Sequence, residues 1–196
     1  LISNLNEPDF ILLLKSGDTL AYQQLITVYK KTVYNTCLNL LQNSEDAEDI
    51  CQEVFVTVFQ SIHQFKGASK LTTWVYRIAV TKSLDYVRMK KRKKRFGFMR
   101  SIFSEESNEP IYDRPNFIHP GVLLENKERT EILFRAIDQL PENQKTVFVL
   151  NKLEQLSYVE VAEVMEVTVS SVESLLFRAK QNLKKILGDY YKENEK

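Results

Sequence analysis

Three groups of side chains in this 196-residue sequence are spaced to bind, and none is spaced to catalyse. The first lies in "LTTWVYRIAVTKSLDYVRMKKRKKR". At 100° per residue Trp74, Arg77, Thr81, Asp85 and Arg88 fall on one helical stripe, with Lys66 and Lys70 just before it. Nucleobases stack on aromatic rings and cationic grooves hold single strands, so the stripe with its flanking bases suits nucleic acid. Trp74 taken alone suits a core position better, and Arg77 with Asp85 can equally form an internal ion pair. The second group runs from Ser157 to Leu187. There Ser170, Ser171, Glu173, Ser174, Phe177, Arg178, Lys180, Gln181 and Lys184 share the polar face of a helix. Hydroxyls at a helix start meet phosphates or base edges, a phenylalanine meets a thymine methyl, and arginine or lysine binds phosphate or guanine. A plain helical hairpin with a basic solvated face is the alternative. The third group, Asp49, Gln52, Glu53 and Val56, is one face of a helix whose opposite face is apolar. It suits either solvent or a docked protein.

Enzyme chemistry finds no support. The sequence has no phosphate-binding loop, no metal-ligand spacing and no nucleophile beside a histidine, and its acids gather at helix starts, where capping explains them. No cofactor, metal or small-molecule substrate is expected.

The elements that must position these groups are helices. Five Gly and five Pro in a chain rich in Leu, Val, Lys and Glu favour helix over strand. Pro8 and Asp9 suit the first turn of a short helix that stops at Gly17. Asp18 is placed to cap a longer one, and Ser44 to cap the next. That third helix carries Ala47, Ile50, Cys51, Val54, Phe55, Val58, Phe59 and Ile62 at helical spacing. "FKGAS" is a loop, and the helix from Leu71 follows. "SEESNEPIYDRPNFIHPG" holds three of the five prolines and reads as a linker. Beyond it, a helix burying Leu124, Ile132, Leu133, Ala136 and Ile137 leads to one that Pro141 opens. Ser157, with Glu160 in the capping-box position, starts a roughly nine-residue helix. A three-residue turn then leads to a longer helix with Val169, Val172, Leu176, Ala179, Leu183 and Ile186 facing inward. That is helix-turn-helix geometry. The expected fold is all-α: two small helical domains joined by a flexible linker, the second a helix-turn-helix, with boundaries 1–95, 96–121 and 122–196.

Charge is segregated. The net charge is +1, yet residues 40–65 hold five acids and no lysine or arginine, and residues 66–100 hold 12 bases against one acid. Such segregation points to separate surfaces for different partners. The phenylalanines among the bases of "MKKRKKRFGFMRSIF" also permit an interfacial membrane contact, ranked below DNA because the block continues a helix already suited to it. No apolar run nears the roughly 20 residues that span a bilayer, so no insertion into a membrane is expected. The first residues do not read as a secretory signal, and Cys37 and Cys51 sit on apolar faces. The expected compartment is the reducing cytoplasm.

"SEDAEDICQEVFVTVF", "FKGASKLTTWVYRIAVTKSLDYVR" and "LPENQKTVFVLNKLEQLSYVEVAEVMEVTVSSVESLLFRAKQNLKK", in this order and spacing, resemble a bacterial sigma factor of the extracytoplasmic-function (ECF) group, which belongs to the sigma-70 type. The resemblance implies a transcription initiation factor that binds core RNA polymerase. Asp49, Gln52 and Glu53, with Val56 beside them, would meet the coiled-coil clamp of the polymerase's largest subunit. The loop with Lys66, Ser69 and Lys70, and the helix with Trp74, Arg77, Thr81 and Arg88, would take the −10 element as an opened strand with one base out of the stack. Val75 replaces an aromatic of primary sigma factors. Ser170, Ser171, Glu173, Ser174, Phe177, Arg178 and Lys180 would read the −35 duplex of promoter DNA. In the family the linker threads the polymerase toward the RNA path, where Glu105, Glu106, Glu109 and Asp113 would imitate nucleic acid. An anti-sigma factor, often membrane-bound, is a further implied partner. Two departures stand out. Glu166 occupies a turn where the family often has glycine, and Glu173 a position where a base is frequent. The rival reading is a stand-alone helix-turn-helix transcriptional regulator that acts without polymerase.

Overall fold

The computed structural model describes residues 6–103 and 127–194, all of its regular elements helical. The eight α-helices are α1 (Glu7–Lys15), α2 (Thr19–Leu41), α3 (Ser44–Ser61), α4 (Leu71–Phe103), α5 (Lys127–Asp138), α6 (Glu142–Phe148), α7 (Tyr158–Met165) and α8 (Val169–Asn194). A 3-10 turn at Ile62–Gln64 follows α3, and a π turn at Val149–Leu153 follows α6. No helix among the described residues is long and apolar enough to cross a membrane.

Local chemistry sets most of the ends. Asn6 accepts from the Asp9 amide at 2.9 Å to start α1. Gly17, at φ +81°, lets the chain reverse into Asp18, which caps α2 by accepting from the Ala21 amide at 2.8 Å. The cap of α3 is Asn43, accepting from Asp46 at 2.9 Å, whereas Ser44 is its first helical residue. Two neighbouring residues carried a capping oxygen, and the extended backbone of Asn43 put its side chain in reach. Ser157 and Glu160 form the expected capping box, worth about 1 kcal/mol.

α2, α3 and α4 pack as the first bundle, around Leu25, Val33, Cys37, Val54, Val58, Leu71, Val75 and Ala79, each buried. The leucines and valines among them contribute about 1.5–3 kcal/mol each when withdrawn from water. α5 to α8 form a second bundle around Ile137, Val147, Leu150, Val161, Val172 and Leu176. Cys37 and Cys51 are buried free thiols. Leu124, like the acids Glu105 to Asp113, lies outside the described residues, and the helix that was to start before it begins at Lys127. α4 continues to Phe103, past the boundary expected at Arg95.

Two residues expected inside are not. Phe59 is 56% exposed and packs only sideways on Tyr22, ring centres 4.8 Å apart, and Val169 at the start of α8 is 38% exposed. Spacing places each on the shoulder of its apolar arc, where the neighbouring helix decides burial. Phe134, absent from the expected core, is buried because the two bundles meet there: the buried Gln42 side chain donates to the Phe134 carbonyl at 2.9 Å. Across the same junction Asn39 donates to Glu154 at 2.8 Å.

Candidate nucleic-acid interface

α3 presents its expected outer stripe. Asp49, Gln52, Glu53 and Val56 are all exposed, and Phe59 extends the stripe by one turn. Val56 is 54% exposed, so this face joins acids to two apolar side chains left in water, a combination that favours a protein partner over plain solvent. Glu53 reaches Lys82 of α4 at a loose 3.9 Å, a contact of little weight at the surface. Phe59 was missed in the sequence because i, i+3, i+4 spacing fitted the core as well as this face.

The loop before α4 is held open at the surface. Gly67 takes φ +71°, a conformation costly for other residues, which lets residues 66–70 turn sharply between Phe65 and Leu71. Lys66 and Lys70 are exposed and Ser69 half-buried. Together they line one wall of a pocket of about 670 Å³ whose other wall is α1. Trp74 is half-buried: its ring lies against the buried Phe65, centres 5.2 Å apart, and packs on the core instead of lining the pocket.

The rest of the α4 stripe faces the second bundle. Arg77 donates to the Glu163 carbonyl at 2.7 Å and pairs with Glu166 at 2.9 Å, while its buried Nε has no partner. Thr73 reaches the Glu163 carboxylate at 3.4 Å. Arg88 forms a two-pronged contact with Glu142, one arm at 3.2 Å, and also meets Asp85 at 3.2 Å. Asp85 thus pairs with Arg88, and Arg77 pairs across the junction. Thr81 stays exposed. Farther along, Lys90 and Tyr86 both engage Asp46 of α3, each at 2.5 Å, tying the long helix to the start of α3.

In the second bundle α7, the turn at residues 166–168 and α8 form the expected helix-turn-helix. Glu166 closes α7 at φ +56°, the conformation that explains why glycine suits this turn. Thr168 caps α8 by accepting from the Ser171 amide at 3.2 Å, and the two hydroxyls meet at 2.8 Å. Ser171 is thereby partly occupied in shaping the helix start. Ser170, Glu173, Ser174, Phe177, Arg178 and Lys180 are all exposed, and Phe177 is 64% so. Beneath them Val172, Leu176, Ala179 and Leu183 are buried, so the outer face is carried on a rigid base. The Asn182 amide donates to Gln144 of α6 at 2.8 Å and fixes the helix along its axis.

Comparison with known proteins matches this layout. Residues 25–93 match the family Sigma-70 region 2, and residues 130–183 match Sigma-70, region 4. The chain is 30% identical over 179 residues to the ECF RNA polymerase sigma factor SigW of Bacillus subtilis (strain 168), covering 89% of this chain and 93% of that protein. It is 31% identical over 169 residues to the ECF RNA polymerase sigma-E factor of Escherichia coli (strain K12), covering 85% and 86%. The fold is similar to CnrH in its complex with the cytosolic domain of CnrY (TM-score 0.65, 19% identity, 93% of this chain and 97% of that one). It is also similar to the sigma factor RpoE of Bartonella quintana in complex with the anti-sigma factor NepR (TM-score 0.61, 19% identity, 85% and 96%). With both regions matched in one chain, and relatives that align along nearly their whole length, the protein belongs to the ECF sigma factors of RNA polymerase.

Proposed function

We propose that this chain docks on core RNA polymerase through the α3 stripe and directs it to promoters, without catalysing a reaction itself. In this reading residues 1–95 open and read the −10 element, residues 96–121 link, and residues 122–196 read the −35 element. The observation that carries the reading is α8, where Phe177 stands in water on a face otherwise made of hydroxyls, a carboxylate and bases, over a fully packed underside. An exposed aromatic on the polar side of a recognition helix fits base edges better than solvent.

The division of labour follows from position. Asp49, Gln52, Glu53 and Val56 offer the polymerase a mixed acidic and apolar face. Lys66, Ser69 and Lys70 line the pocket before α4, with Trp74 behind it against Phe65, and together they offer cations and a ring to an opened strand. On the helix beyond it Thr81 is exposed, and Arg77 and Arg88, paired here with Glu166 and Glu142, join it once those contacts with the second bundle open. On α8, Ser170, Ser171, Ser174, Arg178 and Lys180 supply donors for phosphates and base edges. Glu173 accepts from cytosine N4 and repels phosphate, which points to an unusual −35 sequence. As in RpoE of Bartonella quintana, solved with the anti-sigma factor NepR, an anti-sigma factor is a partner to expect here, and the cytoplasm is the compartment where such a factor meets polymerase.

Run-off transcription with core polymerase on fragments of the source genome tests this. Defined transcripts that need both core and this chain are expected. Tight duplex binding by the chain alone, with no core-dependent transcript, would mean a stand-alone helix-turn-helix regulator instead.

A further inference from the structure

The loop at residues 66–70 is held from outside the helices that flank it. α4 begins without a capping side chain of its own at Lys70, so its first amides need an acceptor from elsewhere. Glu7, 64 residues earlier, supplies one: its carboxylate accepts from the Leu71 amide at 2.6 Å. At the other end of the loop Lys15 donates from Nζ to the Phe65 carbonyl at 2.7 Å. Glu7, Ile11 and Lys15 recur at every fourth position of α1 and so share one face. A single short helix therefore grips both ends of the loop with two charge-assisted bonds, and Ile11 and Leu12 between them form the opposite wall of the pocket. A carboxylate at the start of α4 also lies at the positive end of that helix, which strengthens the grip.

We infer that α1 belongs to the −10 site, with Glu7 and Lys15 as positioning residues that hold the loop in the shape that selects a base. This rests on the −10 reading of the loop given above. Neither residue lies on the stripe proposed for polymerase or on α8. Their effect should accordingly fall on base choice alone.

The test uses the full chain on core polymerase. The probe is a forked DNA whose upstream part is duplex and whose single-stranded arm carries six randomised positions, and bound molecules are sequenced. The unaltered chain is expected to enrich a defined base at one or two positions. Glu7→Ala and Lys15→Met should each lower that enrichment about fivefold, the effect of one lost helix cap in the first and of one lost hydrogen bond to a carbonyl in the second. Lys15→Arg should preserve it, and core binding should match that of the unaltered chain in all three. Variants that enrich the same bases to the same degree would overturn the role of α1 while leaving the −10 reading intact. No enrichment by the unaltered chain would overturn the −10 reading itself, and the brace with it. Should Glu7→Ala fail to fold, the contrast between Lys15→Met and Lys15→Arg decides.

Discussion

Replacing Glu166 by glycine separates two effects that now oppose each other. The residue closes α7 at φ +56°, where a side chain costs about 1–2 kcal/mol. Glycine removes that strain and adds about 0.5–1 kcal/mol of chain entropy to the unfolded state. The helix-turn-helix should thus hold its stability or gain up to about 1.5 kcal/mol. The same change deletes the 2.9 Å contact with Arg77, between side chains that are 69% and 32% exposed. Pairs this open contribute about 0.2–1 kcal/mol, so the junction between the bundles should weaken by only about 1.4- to 5-fold. Arg77 keeps its 2.7 Å bond to the Glu163 carbonyl, which is why the junction persists. Two assays read the two effects: denaturant midpoint for stability, and energy transfer between dyes on cysteines placed at the exposed Gln60 and Lys184 for the junction. A midpoint lowered by more than the lost ion pair accounts for, about 1 kcal/mol in stability, would refute the backbone argument. Energy transfer that stays the same at low salt would refute the electrostatic one.

Four further outcomes follow. Arg178→Ala should weaken binding to −35 duplex while core affinity is kept, and Glu53→Lys should do the reverse; filter binding and core pull-down read both, and loss of the same activity by both variants would dissolve the proposed division of labour. Phe59→Ser should reduce core affinity while lowering the stability read by denaturant unfolding by no more than about 1 kcal/mol, since the ring is more than half in water. Burial raises the carboxyl of Glu154 above the ordinary range, against the opposing Asn39 hydrogen bond. The folded state therefore holds that proton more tightly, and the contribution is complete at acid pH and lost as pH climbs through the raised value. Glu154→Gln should raise stability near neutral pH and leave it unchanged below the ordinary carboxylate pKa; equal curves at both would refute this. Burial pushes the Cys37 thiol up to about 12 and raises that of Cys51, so neither should react with a thiol reagent at neutral pH until the chain is unfolded, as counted by absorbance.

What could be read from sequence was local. Asp18, Gly17, Ser157 and Glu160 act within four residues of themselves, and each was placed correctly. The face of α8 was legible because its buried residues recur without a gap from Val172 to Leu183. Helical spacing gives a direction but not what lies there, so Phe59 and Val169, at the edges of apolar arcs, were assigned to a core that does not reach them. Contacts set by packing left no local trace. Asn39 with Glu154, Gln42 with Phe134 and Arg77 with Glu163 join residues 86 to 115 positions apart. The brace from Glu7 and Lys15 spans 64 and 50. In each case an ordinary polar residue found its partner only after the helices had packed. The end of α7 gave no such sign either, yet the Glu163 carbonyl and the Glu166 carboxylate just beyond the helix meet the very arginine that the stripe was expected to offer to DNA.

α4 sets a length as well as a surface. From Leu71 at the pocket to Arg95 it is one unbroken helix, about 36 Å at 1.5 Å per residue. One turn of B-form DNA measures about 34–36 Å. In the reading proposed above the helix would act as a measuring rod: a strand seated at the pocket and a phosphate met at residues 91–95 would lie about one helical turn apart. An inserted residue would lengthen the rod by only about 1.5 Å but swing its far end through about 100°. On that reading, spacing along the promoter and orientation around it would be set by the same stretch of chain and could not be altered separately.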